Sequence, residues 1–213
     1  MKKRTPARQR KSPKRSKRAQ SRRAPAPEAA KTTIRRLRGE LARARRQIEE
    51  LQASADTDFL LGIPNRRGFE HELARALAYI KRYRASGALI VLDVDRLKPI
   101  NDAFGHAAGD QVLKAIVAVF TLQVRSSDIV GRLGGDEFAL LLWNLSETDA
   151  KAKAAALEEA IDRLTFRFGS KTITAGASAG VAMLESHAEL SSALEQADRA
   201  MYLRKAQRRH EGR

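Results

Sequence analysis

The 213-residue sequence contains no cysteine, which excludes disulfides and thiolate metal sites and fits a reducing compartment, the cytoplasm. Long apolar runs are missing too. The apolar runs there are, such as Ala88 to Leu92 and Phe138 to Trp143, are far shorter than the roughly 20 residues that span a bilayer. No apolar segment follows the basic start, so no secretory leader is expected. Aromatics make up only 5% of the chain, which argues against the stacking platforms of a single-strand nucleic-acid binder. No internal repeat is evident. What is present, 43% hydrophobic residues, suffices for one core.

Acidic residues are scarce only at the N-terminal end. Residues 1 to 50 hold 19 Lys and Arg against 4 acids, a net of +15, while residues 51 to 213 hold 22 against 21, a net of +1. An electrostatic grip on nucleic acid by the folded body is therefore disfavoured, and any such contact, or contact with an anionic membrane, belongs to the tail. Residues 1–30 contain no aliphatic side chain larger than alanine after Met1. They cannot bury enough surface to offset the entropy of ordering, so a disordered basic tail is expected, read as a solvated segment in preference to a tether.

From residue 31 to 55 the pattern changes. Ile34, Leu37, Leu41, Ala44, Ile48, Leu51 and Ala55 recur at alternating spacings of three and four, a heptad seam that predicts a helix with one apolar stripe. With Ile34 at an a position, Glu40 falls at g and Arg45 at the following e, the arrangement that pairs across a parallel two-stranded coil. A homodimer through this helix is the expectation, against the alternative of one amphipathic helix packing on its own domain.

Residues 56–213 alternate helix and strand signals. Helices are expected over Phe69 to Tyr83, Gly109 to Val124, Thr148 to Leu164 and Ser191 to Arg209; strands over Ala88 to Asp95, on both sides of Gly134-Gly135, and over Thr172 to Met183. This βαββαβ order, with helices added at both ends, predicts an α+β fold: a mainly antiparallel central sheet flanked by helices.

Two acidic segments draw the chemical argument. The first strand ends at Asp93 and Asp95, two residues apart and so on one face. In RLGGDEFALLLW, Gly134 and Gly135 precede Asp136 and Glu137 where a second strand begins. A hairpin tip explains the glycines but not the acids. In a βαββαβ sheet the first strand and this hairpin are commonly neighbours, which would bring the carboxylates to one edge. Converging carboxylates repel, and Mg2+, held by a few carboxylate oxygens with water and phosphates completing its shell, relieves that repulsion. Lys98, Asn101, His106 and Asp110 follow within 17 residues of Asp93, offering a cation for phosphate and polar groups for a purine edge. Taken singly, each of these acids and amides is an ordinary strand-end or turn residue.

Together these residues resemble the GGDEF-domain diguanylate cyclases over about Asp56 to Arg209. The matching motifs are GGDEF itself (Gly134 to Phe138), GIPNRRGF from Gly62, LDVDRLKPINDAFGHAAGD from Leu92, SAGVA from Ser178 and ADRAMY from Ala197. The resemblance implies a palm-like domain, similar to nucleotidyl cyclases, that condenses two GTP into cyclic di-GMP and releases two pyrophosphates, two domains facing each other. It implies Mg2+, with Mn2+ an alternative, held by Asp93, the Val94 carbonyl, Asp136 and Glu137. Asp136, Glu137 and Lys98 would be catalytic, Glu137 as a second metal ligand or as the group that takes the 3′-hydroxyl proton. Asn101 and Asp110 match guanine-reading positions and His106 a substrate contact; Gly134 and Gly135 would let the nucleotide approach the backbone, and Lys205 and Arg209 would contact phosphates. Arg125-Ser126-Ser127-Asp128 matches an RxxD inhibitory site for the product. Departures stand at Leu61, Ile63, Leu97, Arg208 and His210, where the family usually has Thr, Leu, an aromatic, Gly and Asn. A non-catalytic domain that binds GTP or cyclic di-GMP and signals through a protein partner is the alternative, and an unidentified activating partner is left open because no sensory domain is recognisable.

Overall fold

The computed structural model describes residues 27–211; the expected basic tail lies almost wholly outside them. Contacts divide the chain into two units, Met1–Gln47 and Ile48–Arg213. Helix α1 (Pro27–Asp56) begins four residues before the expected boundary, so residues 27–30 are helical instead of tail. In the first unit Ile34, Leu37 and Leu41 are each about half exposed, 50%, 52% and 53%, so the apolar stripe is uncovered there. Arg36 pairs with Glu40 one turn on at 3.3 Å. The side chains of Ile48 and Leu51, in the expected seam, lie outside the described residues.

The second unit contains α2 (Arg66–Tyr83), β1 (Gly87–Val94), α3 (Leu97–Phe104), α4 (His106–Gln123), β2 (Ile129–Arg132), β3 (Glu137–Trp143), α5 (Glu147–Asp162), β4 (Thr165–Phe168), β5 (Lys171–Thr174), β6 (Ala177–Leu184) and α6 (Leu190–Glu211). The main sheet has the order β2-β3-β1-β6, every pair antiparallel. β1 lies inside it and is buried along its whole length, which is why Ala88 to Leu92 read as an unbroken apolar run instead of an alternation.

Each face of the sheet has its own core. On one, Ile90, Leu92, Phe138 and Leu140 meet Val112, Ile116 and Phe120 of α4 and Leu157 and Ile161 of α5. On the other, Leu89, Val91, Ala139 and Leu141 meet Phe69, Leu73 and Ile80 of α2 and Ala197 and Met201 of α6. The alternation of side chains along a strand then fixes the end of β1: Asp93 follows Leu89 and Val91 onto the α2 and α6 face. Directly opposite it stand Glu137 on β3 and Ser178 on β6.

Local chemistry sets the helix starts. Asn65 caps α2 by accepting from the Gly68 amide at 3.1 Å, and Ser146 caps α5 by accepting from the Asp149 amide at 3.1 Å, with Glu147 and Asp149 complementing the helix dipole. Helix α6 crosses β6 so closely that a Cβ on Gly180 would lie 2.1 Å from the Met201 amide nitrogen and 2.2 Å from the Ala197 carbonyl oxygen. Glycine there lets α6 lie on the sheet.

Two features differ from expectation. The segment after Asp95 folds into the short helix α3, because Pro99 falls in its first turn, where no backbone N–H is needed. The single strand expected over Thr172 to Met183 is two, β5 and β6, and β5 pairs with the unanticipated β4 in a separate ribbon turning at Gly169, φ +60°. Phe166 and Phe168 of that ribbon pack against the core, and the Phe104 and Phe168 rings lie 5.2 Å apart. Among the described residues, no helix is long and apolar enough to cross a membrane.

Candidate functional site

The two acidic segments meet. The Val94 amide donates to the Asp136 carbonyl at 2.9 Å, and the Asp95 amide to the Gly176 carbonyl at 2.8 Å. These backbone bonds join the end of β1 to the signature loop on one side and to the start of β6 on the other. The junction forms the floor of a cleft of about 540 Å³, lined by Val94, Lys98, Asp136, Lys205 and Arg209 among the residues expected at a site. Arg96, Asp95, Asp162, Thr174, Gly176 and Arg208 also line it.

The electrostatics of the cleft are those of crowded carboxylates met by cations from α6. Burial pushes the Asp93 carboxyl above the usual carboxylate range; the hydrogen bond and charge of Lys205 oppose this, and repulsion from Asp136 and Asp95 adds to it. Asp95 accepts weakly from the Ser178 hydroxyl at 3.3 Å and pairs with Arg208 at 3.6 Å. For Arg208, burial disfavours the charge, but Asp162, Glu158 and Asp95 outweigh it and raise its pKa.

The signature loop is held from behind. Arg132 donates to the Gly134 carbonyl at 3.0 Å, to the Gly135 carbonyl at 2.7 Å and to Asp58 at 3.0 Å. Asp58 in turn accepts the amides of Leu60 and Leu61 at 3.0 and 2.9 Å. Arg66 donates to the Leu133 carbonyl at 2.7 Å and lies 3.5 Å from the Glu137 carboxylate. Gly134 and Gly135 therefore line a separate shallow hollow with Asp58, Arg66 and Arg132, and the Glu137 side chain is directed towards Arg66.

Asn101 lies on α3, one turn beyond Lys98. Its Oδ1 is buried with no hydrogen-bond partner, and a Cβ on Gly109 of α4 would come within 2.0 Å of it. An unpartnered buried acceptor costs about 1–3 kcal/mol, a cost that a donor from a ligand would remove. Asp110 is half-buried and His106 exposed at the start of α4; neither lines the cleft.

Arg125 and Asp128 lie elsewhere, at a hollow of about 350 Å³ with Leu142, Leu145, Asp149 and Lys153. Asp128 accepts from the Arg125 amide at 2.8 Å and the Trp143 amide at 3.2 Å. The Arg125 side chain is exposed. Lys153 donates to the Gln123 carbonyl, and burial pushes its ammonium pKa down.

Sequence reasoning passed over Asp58, Arg66, Arg132, Asp162 and Arg208 as site residues. Arg132 is one residue before Leu133-Gly134, but nothing in its spacing distinguishes a guanidinium folded back on loop carbonyls from a solvated one. Arg208 did leave a signal, as a departure from the resembled pattern.

Residues 55–211 match the family described as "Diguanylate cyclase, GGDEF domain". The chain is 40% identical over 170 residues to the diguanylate cyclase TpbB of Pseudomonas aeruginosa, covering 79% of this chain and 39% of that protein. It spans well under half the length of that relative. Among solved structures, the coiled coil and GGDEF domain of DgcB from Caulobacter crescentus in complex with c-di-GMP superposes with a TM-score of 0.72 at 26% identity, covering 83% of this chain and 94% of that one. The diguanylate cyclase SiaD of P. aeruginosa, in complex with its activator SiaC, gives 0.68 at 30% identity over 84% of this chain and 72% of that one. The chain belongs to the GGDEF domain family of diguanylate cyclases, and its fold is the palm-like α+β fold of that family.

Proposed function

We propose that this protein is a diguanylate cyclase that condenses two GTP into cyclic di-GMP with release of two pyrophosphates. One observation carries the reading: the backbone bond from Val94 to Asp136 gathers the acidic end of β1 and the signature loop into one cleft, with Lys98 and Lys205 on its walls.

The donor set suits Mg2+. Asp136 is close enough to Asp93 for its charge to disfavour the ionised Asp93 carboxyl, the Val94 carbonyl belongs to the same junction, and Glu137 stands opposite Asp93 in the register. Among the described residues no three acidic or histidine side chains form a cage. Magnesium commonly binds through one or two carboxylates with water and substrate phosphates filling the rest. Asp93, Asp136, Glu137 and the Val94 carbonyl would hold it, and when bound it would supply charge neutralisation at the triphosphate. Mn2+ fits the same oxygen donors.

The chain's own residues supply the rest. Asn101 offers its unpaired amide oxygen, and Asp110 its carboxylate, to the donors on the guanine edge; His106 stands beside them as a further contact. Lys98, Lys205 and Arg209 offset charge on the transferring phosphates, the main requirement of phosphoryl-type transfer. The 3′-oxygen of one GTP bonds to the α-phosphorus of the other as the bond to the β-phosphate oxygen breaks and pyrophosphate leaves; Glu137 serves either as a metal ligand or as the acceptor of the hydroxyl proton. Each domain holds one GTP, so two copies must face each other. The uncovered stripe of Ile34, Leu37 and Leu41 supports a homodimer through α1. Arg125, on the turn that Asp128 holds, is assigned to product inhibition, an activating protein partner would supply the input, and a reaction that consumes GTP belongs in the cytoplasm.

The test is the purified 213-residue protein with GTP and Mg2+, assayed chromatographically for cyclic di-GMP, with Asp136→Ala as control. Product from the parent protein and none from the variant is expected. A dimer that binds GTP without turning it over would overturn the catalytic reading. Removing residues 1–47 should make specific activity fall on dilution about as a dimer dissociates, checked by assaying a concentration series.

A further inference from the structure

Arg208 brings a cation into the cleft at a position where the family usually has glycine. Arg208 stands three residues beyond Lys205 on α6, which places both on one helix face, and both line the cleft. Its guanidinium reaches three carboxylates: Nη2 to Asp162 at 2.6 Å, Nη1 to Glu158 at 3.5 Å and Nε to Asp95 at 3.6 Å. Glu158, the buried member, does not depend on Arg208. It accepts from the Ala179 amide at 2.8 Å and pairs with Arg204 at 3.0 Å. Asp95 and Asp162, by contrast, line the cleft themselves and retain solvent contact. Arg208 therefore acts mainly on the charge of the cleft wall, not on the satisfaction of the core.

The balance matters because a triphosphate brings several negative charges. Arg96, Lys98, Lys205, Arg208 and Arg209 line the cleft against Asp95, Asp136 and Asp162, five cations to three acids. Lys205 is already engaged with Asp93. Without Arg208 the count is four to three, and two carboxylates are left facing the ligand with no side-chain cation between them and it. A guanidinium is a planar fork with five donors, able to keep one carboxylate while turning another edge to a phosphate oxygen.

We propose that Arg208 is a triphosphate-binding residue of this chain, and that Asp162 tunes its strength by competing with the phosphates for the same guanidinium. The inference rests on the GTP reading of the cleft and extends it to a residue outside the family pattern.

Calorimetric titration of the 213-residue protein with the α,β-methylene analogue of GTP and Mg2+ tests it without turnover. Arg208→Gln should weaken binding about tenfold, close to 1.4 kcal/mol, and Arg208→Lys should recover most of that loss. Asp162→Asn should bind as tightly as the parent protein or more tightly, because it frees the guanidinium while removing the same contact between α5 and α6. A purely structural brace would make both Arg208→Gln and Asp162→Asn weaken binding together, and that outcome overturns the proposal. So does an Arg208→Gln affinity within about twofold of the parent, since a lost charge contact is expected to cost more than that. If Arg208→Gln unfolds, the Asp162→Asn titration decides alone: weakened binding rejects the inference. A parent protein that does not bind the analogue rejects the GTP reading itself, whereas normal parent binding with unresponsive variants rejects only the role of Arg208.

Discussion

The cleft at the end of β1 and the turn at Arg125–Asp128 both present acids beside arginines, yet their acids are engaged differently. Asp95 and Asp162 in the cleft, and the buried Asp93 beside it, meet cations delivered by α6 from far along the chain. At the turn, both oxygens of Asp128 are taken by backbone amides, those of Arg125 and Trp143. The first arrangement stores opposed charges that a ligand can redistribute. The second locks a turn and ties it to the end of β3, leaving the exposed Arg125 as the group free to meet a ligand. An acid in a short motif can thus be structural while its arginine neighbour stays exposed.

Substitutions can break or sharpen that contrast. The largest effect is expected at the cleft: Asp136→Asn should lower cyclic di-GMP formation by roughly 10³-fold, in the range seen when one preorganised electrostatic group is removed, with little change in the thermal midpoint; equal turnover would undo the assignment. Next, Gly180→Val should cost about 3 kcal/mol or more through a backbone clash with α6, read by chemical denaturation, and should weaken GTP binding because α6 carries Lys205, Arg208 and Arg209. At the turn the two residues should separate. Asp128→Ala should lose about 1–2 kcal/mol of stability as its amide partners go unpaired. Arg125→Ala should leave stability within about 0.5 kcal/mol but abolish product inhibition, followed as initial rate against added cyclic di-GMP.

The smallest effect is a pH dependence. Burial raises the Asp93 pKa in the fold above its ordinary 3.8, so its contribution favours the fold below the ordinary value and is lost as pH rises through the folded one. In metal-free buffer Asp93→Asn should therefore gain stability relative to the parent as pH rises above about 4. A gap between their melting curves that narrows or stays constant over that range would contradict the burial argument.

How much of this was legible in the sequence depends on whether the signal was local. β1 could be read from its unbroken apolar run, and the meeting of Asp93 with Asp136 followed from strand order, because a βαββαβ chain has few ways to close its sheet. α3 was hidden by Pro99, which suggests a loop unless its place in a first turn is known. β4 was hidden because TFRF is too short to show a period, and it pairs only with its neighbour in a ribbon. At the site, Asp136 and Lys98 stood out by type and spacing. Arg132 and Asp58 did not, because their meaning lies in a contact across 74 residues. Arg208 was visible only as a mismatch, and its three acidic partners come from α5 and the turn after β1, which no local pattern links to α6.

The link between Val94 and Asp136 is made by main-chain atoms alone. Replacing either side chain leaves that clasp in place, so chemistry and shape are separable properties in this domain. A lineage could discard the reaction by one codon change and still keep an intact scaffold for recognition.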